Sequence, residues 1–241
     1  MSLNFGHRGF SGKYPENTML AFRKAEEAGA DGVELDVHLT KDGEVVIIHD
    51  ELVDRTTDGK GWVKDYTLAE LKALDASAGF KGVYGKNEIP TLREFLEFMK
   101  PTRLITNIEL KTGIFTYPGI EEKVLGLIDE FGLRDRIIIS SFNHYSVLRM
   151  KEMAPDMVYG FLEESWVIGF PEYTQRHGAD AVHPILTVID ADYVKDCHER
   201  GLKINTWTVN EREHMEYLAG LGVDGIIGNF PDVCAEVVEK Y

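Results

Sequence analysis

Eight short apolar runs recur along the chain: Asn4–Arg8, Gly32–Leu39, Leu104–Leu110, Ile137–Ser141, Met157–Leu162, Ala181–His183, Lys203–Trp207 and Gly225–Gly228. Between them lie longer stretches with apolar residues at helical spacing, such as Asn17–Ala28, Thr91–Met99 and Tyr117–Phe131. Strand-length runs alternating with helical segments predict repeated βα units around a parallel sheet. Eight such units suit a closed α/β barrel, the (β/α)8 or TIM barrel, which takes about 250 residues. The chain has 241 residues, so one barrel domain over residues 1–241 is expected.

A ninth run, Glu44–His49, follows the second after only Thr40-Lys41-Asp42-Gly43. A parallel crossover needs a dozen or more residues, so this run must return antiparallel as a hairpin. If Leu39 faces Glu44, then Asp36 faces Ile47, Glu34 faces His49, and Glu34, Asp36 and His49 share one surface. A slip of one residue undoes that pairing. Residues 51–90 then break the βα rhythm with Asp54-Arg55-Thr56-Thr57-Asp58-Gly59, a short helical pattern at Leu68–Leu74, and Gly79, Gly82 and Gly85. They read as a small insertion lying over the barrel mouth.

Apolar residues make up 44% of the chain and charged residues 28%, enough to bury a sizeable core, which excludes disorder as the main state. The 26 Lys and Arg against 41 Asp and Glu leave a net charge of −15, which repels nucleic acid and anionic lipid surfaces. An anionic substrate would therefore need a local cluster of cations or a metal. No window reaches about 18 uncharged apolar residues and no basic leader opens the chain, so a soluble, cytoplasmic protein with no membrane partner is expected. Cys197 and Cys234 fall in helical stretches and read as free thiols.

Chemistry in such a barrel sits at the carboxyl ends of its strands. His7-Arg8-Gly9 ends the first run, Glu34 and Asp36 lie on the second, and Asn107, Glu109 and Lys111 recur at period two on the third. Ser140-Ser141, His183, Trp207 and Asn229 end later ones. Parallel barrel strands are buried on both faces, so carboxylates inside them must be protonated, paired with cations or bound to metal. Three carboxylates converging on one interior point to a hard divalent cation, Mg2+ or Ca2+.

His7 and His49 are the candidate acid–base pair: one removes a proton from the attacking oxygen while the other protonates the leaving oxygen. Arg8 and Lys111 supply the local positive charge for a phosphate, or else pair with the same carboxylates. Pro15-Glu16-Asn17-Thr18 reads mainly as a helix start with Asn17 as N-cap. The other six histidines read as surface or structural residues, with His183 ambiguous, and Trp207 as core or as a substrate wall.

These motifs together resemble the glycerophosphodiester phosphodiesterase family. The resemblance rests on His7-Arg8-Gly9 with Pro15-Glu16-Asn17-Thr18, Glu34-Leu35-Asp36-Val37, Val45–Asp50 leading into Asp54-Arg55-Thr56-Thr57, Asn107-Ile108-Glu109-Leu110-Lys111, and Trp207-Thr208-Val209-Asn210. It implies a barrel with a small insertion after the second strand. It also implies a divalent cation on Glu34, Asp36 and Glu109, an acid–base pair in His7 and His49, and a phosphate held by Arg8 and Lys111. The reaction implied is hydrolysis of a glycerophosphodiester, such as glycerophosphocholine or glycerophosphoethanolamine, to glycerol 3-phosphate and an alcohol. Two other readings stay open: a related barrel cleaving lysophospholipid or sphingolipid headgroups, and a non-catalytic phosphate- or metal-binding module. The sequence leaves headgroup, ion and oligomeric state (monomer or homodimer) undecided.

Overall fold

The computed structural model describes residues 1–241. Nine strands are present: β1 (Leu3–His7), β2 (Gly32–Leu39), β3 (Val45–Ile47), β4 (Ile105–Leu110), β5 (Ile137–Ser141), β6 (Val158–Glu163), β7 (Ala181–Pro184), β8 (Lys203–Thr206) and β9 (Gly225–Gly228). The sheet runs β1-β9-β8-β7-β6-β5-β4-β2-β3, and a further pairing of β1 with β2 closes it. Eight strands therefore form a parallel barrel, and β3 hangs antiparallel on the outer end of β2. Helices fill the crossovers, so the expected (β/α)8 architecture is present. None of the helices is long and apolar enough to cross a membrane.

The second strand shows how one sequence serves both faces. All eight of its residues are buried. Val33, Leu35, Val37 and Leu39 belong to the main apolar core beneath the helices. Glu34, Asp36 and His38 alternate with them and so point the other way, along the barrel interior toward its mouth.

The hairpin register differs by one residue from the sequence expectation: Leu39 faces Val45 and Val37 faces Ile47. The cause is the turn. Gly43 adopts φ of 83° and donates its N–H to the Thr40 carbonyl, while Thr40 N–H donates to Glu44 O. Three residues, not four, therefore form the loop, a type I turn closed by a left-handed glycine. His49 lies beyond the end of β3 and reaches the mouth by a bend rather than by cross-strand pairing.

Residues 51–90 carry a short helix, α2 (Leu68–Ala73), capped at Thr67 by a reciprocal pair of bonds with Glu70. They have a small core of their own: Val53, Val63, Leu71, Ala76 and Ile89 pack on Val46 and Ile48. The first helix, α1 (Met19–Glu27), is capped by Thr18, whose hydroxyl accepts from Ala21 N–H. Asn17 is therefore not the cap, which frees its amide for another role.

Deeper in the barrel, Asn205 donates its amide to His183 Nε2 at 3.0 Å, and both side chains are buried. Gly160 and Gly225 make room for this pair, since a Cβ on Gly160 would come within 2.3 Å of His183 Nε2. His183 is thus an interior residue, not one at the mouth. Burial lowers its pKa from 6.5 to about 3. The folded state keeps it neutral, whereas an unfolded chain takes up a proton near pH 6.5, so the stability it confers is lost progressively as pH falls below 6.5. Urea midpoints are expected to drop between pH 7 and pH 5, less steeply in a His183→Gln variant; equal slopes would show that His183 does not carry this dependence.

Candidate active site

The turn after β1 sets the first side chains. Arg8 has φ of 55° and Gly9 of 80°. A Cβ on Gly9 would meet the Ala21 backbone at 2.7 Å, so the chain makes this bend only with glycine there. The bend aims Arg8 N–H at Glu34 Oε2, 3.0 Å away.

Parallel pairing of β2 with β4 sets Asp36 beside Glu109 and Glu34 beside Asn107 on the interior face. One oxygen from each of Glu34, Asp36 and Glu109 lies within 4.8 Å of the others, and all three residues are buried. Burial raises the pKa of Glu34 well above the usual carboxylate range, and the charges of Asp36 and Glu109 push it further. Glu109 is also raised by burial, with Lys111 partly offsetting it. For Asp36, burial is outweighed by His49, Lys111, Arg8 and the Asn17 amide, which together hold it ionised well below its normal value.

Cations sit on both sides of the trio. Lys111 Nζ donates to Glu109 Oε1 at 2.9 Å and lies 3.8 Å from Asp36 Oδ1. Burial alone would lower its pKa, but Glu109 and Asp36 raise it instead, so it stays charged. Arg8 donates to Glu16 at 2.8 Å, and its Nε lies 3.7 Å from Asp36 Oδ2. Both pair with acidic side chains and both line the same cleft, so ion pairing and access to a ligand coexist.

The two histidines have defined hydrogen-bond directions. His7 Nδ1 meets Asn229 Oδ1 at 2.7 Å; an amide oxygen only accepts, so Nδ1 carries the proton and Nε2 is bare, 3.9 Å from Glu34. Burial lowers the His7 pKa from 6.5 to about 4, and the neighbouring Arg8 charge adds to this. His49 Nδ1 meets the Asp50 carboxylate at 2.6 Å, while its Nε2 faces Lys111 Nζ at 3.3 Å. Arg55, from the segment after the hairpin, binds Asp50 through Nε and Nη2 and Glu16 through both terminal nitrogens.

His38 supports this arrangement from behind. It is fully buried, the structural rather than the surface one of the two places expected for it. Its Nε2 donates to the His49 carbonyl at 3.1 Å, and Nδ1 meets the Tyr117 hydroxyl at 3.0 Å. Asn17, free of any capping duty, donates to Asp36 Oδ2 at 2.9 Å.

The cleft that collects these groups has a volume of about 340 Å3. His7, Arg8, Glu34, His49, Asn107, Glu109 and Lys111 form its polar side, and Trp207 stands on the other wall. Asp36 lies just beneath. All eight residues singled out from the sequence thus gather at one barrel mouth. The contacts of Asp50, Arg55 and Asn229 are not among the expectations, while Asn17 is expected mainly as a helix cap and His38 only as a surface or structural residue. Asp50 and Arg55 sit inside the quoted motifs and Asn229 ends a strand run, but nothing in their spacing tells which atom each one meets.

A family model described as the glycerophosphoryl diester phosphodiesterase family matches residues 7–233. A glycerophosphodiester phosphodiesterase of Caldanaerobacter subterraneus subsp. tengcongensis is 46% identical over 99% of this chain and 98% of its own length. One from Bacillus altitudinis is 43% identical over 100% and 99%. Among solved structures, an Oleispira antarctica phosphodiesterase in complex with the product sn-glycerol-3-phosphate superposes with a TM-score of 0.88 at 29% identity, covering 99% of this chain and 97% of that one. The chain belongs to the glycerophosphoryl diester phosphodiesterase family.

Proposed function

We propose that this chain is a metal-dependent glycerophosphodiester phosphodiesterase, releasing glycerol 3-phosphate and an alcohol, and that residues 1–241 act as one catalytic domain with 51–90 as an insertion at its mouth. The observation that carries the reading is the buried carboxylate trio gathered with His7 and His49 at one cleft. The product complex of the Oleispira antarctica relative supports a small glycerophosphate ligand.

Glu34, Asp36 and Glu109 would hold a divalent cation. Their oxygen chemistry fits Mg2+ or Ca2+, and Asp36 Oδ1, buried without a hydrogen-bond partner, is the orphan atom such an ion would satisfy. When bound, that ion neutralises phosphate charge and acts as a Lewis acid. Arg8 and Lys111 would hold non-bridging phosphate oxygens and offset charge that builds in the transition state.

His7, kept neutral by burial and Arg8, would accept the proton of the attacking oxygen. His49 would deliver a proton to the departing alcohol, with Asp50 against Nδ1 supporting the positive charge the ring then carries. Arg55 fixes Asp50, which gives the insertion a part in orienting His49. Trp207 would wall the substrate. The two buried, unpaired thiols, Cys197 and Cys234, fit a reducing compartment such as the cytoplasm.

The test is an activity matrix on purified protein: glycerophosphodiesters against Mg2+, Ca2+ and chelator. Release of glycerol 3-phosphate that stops with chelator is expected; binding without turnover would instead select a non-catalytic module.

A further inference from the structure

The cleft has a second wall that the phosphate chemistry does not use: Phe142, Leu162, Glu164, Trp207 and Ile227. We propose that Glu164, with the crossed rings of Phe142 and Trp207, is a specificity subsite for a cationic alcohol, so that zwitterionic diesters such as those of choline or ethanolamine are preferred over diesters of neutral or acidic alcohols. The inference rests on the phosphodiesterase reading above.

The rings are held in place. Trp207 Nε1 donates to the His183 carbonyl at 2.9 Å, and Phe142 meets Trp207 edge-on, with centroids 5.6 Å apart and planes at 88°. Phe142 is 40% exposed, so part of its surface is open to a ligand. The loop after β6 is equally defined, because the Glu163 carboxylate accepts from Glu164 N–H, Ser165 N–H and Ser165 Oγ, all within 2.8 Å. This fixes the backbone that carries Glu164 at the cleft.

Charge distinguishes Glu164 from the other acids there. Glu16, Asp36 and Glu109 all have Arg8 or Lys111 beside them, and Glu34 accepts from Arg8 N–H, whereas Glu164 has no ion pair. The wall around it lacks donors as well. Phe142, Leu162 and Ile227 have no polar side-chain atoms, and the one indole N–H is already used. Such a wall satisfies a polyol poorly but suits an onium group, which is attracted to aromatic faces and to a carboxylate and, when fully methylated, needs no acceptor at all. An acidic alcohol such as serine would bring its carboxylate against Glu164. The molecular charge of −15 acts in the same direction, since a zwitterion approaches without net repulsion.

The experiment compares kcat/KM for glycerophosphocholine with that for its uncharged isostere, the 3,3-dimethylbutyl diester of the same shape. The wild type is expected to favour choline by roughly 3- to 30-fold, and Glu164→Gln and Phe142→Leu should each bring that ratio toward unity, with Glu164→Asp retaining part of it. A ratio near unity in the wild type, or one unchanged in Glu164→Gln, overturns the subsite. Failure to hydrolyse either diester would instead overturn the phosphodiesterase reading itself.

Discussion

Replacing His49 with alanine is expected to lower turnover of an alkyl glycerophosphodiester by about 10²–10⁴ while metal still binds, the range typical for loss of a positioned acid or base. The roles assigned to the two histidines make a sharper distinction. An alkoxide is a poor leaving group and needs a proton as it departs; p-nitrophenolate does not. Glycerophospho-p-nitrophenol should therefore restore most of the rate in His49→Ala and little of it in His7→Ala, because the attacking oxygen must still lose its proton. Steady-state kinetics on both esters check this. Full activity of His49→Ala toward the alkyl diester would end the assignment, and equal rescue of both variants would end the division of labour.

The second large effect concerns the carboxylate trio. Glu34→Gln is expected to abolish most activity and to remove the thermal stabilisation that the ion gives. At 100 times its dissociation constant a ligand adds about 2.7 kcal/mol, roughly 5–11 °C in melting temperature for a chain of this size. Without metal the same variant should melt above the wild type. Glu34 is destabilised as a charged group by burial and by Asp36 and Glu109, whereas a glutamine oxygen can still accept from Arg8 N–H. Melting curves with chelator and with excess Mg2+ or Ca2+ read both effects. Equal metal-induced shifts in variant and wild type would place the ion elsewhere.

Much of this architecture was legible in the sequence because the barrel repeats one signal. Each strand run is short, apolar and separated by helical period, and the polar residues that interrupt it, such as Glu34, Asp36 and Glu109, stand out against burial cost. What escaped was geometry set by single residues. The left-handed Gly43 shortened the hairpin loop and shifted the register, yet His49 still reached the mouth because the chain bends after Ile47. Asn17 looked like a helix cap because Asn commonly is one; Thr18 took that place, and Asn17 turned to Asp36. His38 gave no outward sign of holding the His49 carbonyl, since that contact joins β2 to the bend after β3 and depends on the hairpin register.

The account depends on the trio holding a cation. Crystals grown with Mn2+ as a stand-in and measured for anomalous scattering test this most directly. The prediction is a peak among Glu34, Asp36 and Glu109, roughly 2.0–2.6 Å from an oxygen of each. No peak there in crystals of protein that hydrolyses the diester under the same metal would contradict it.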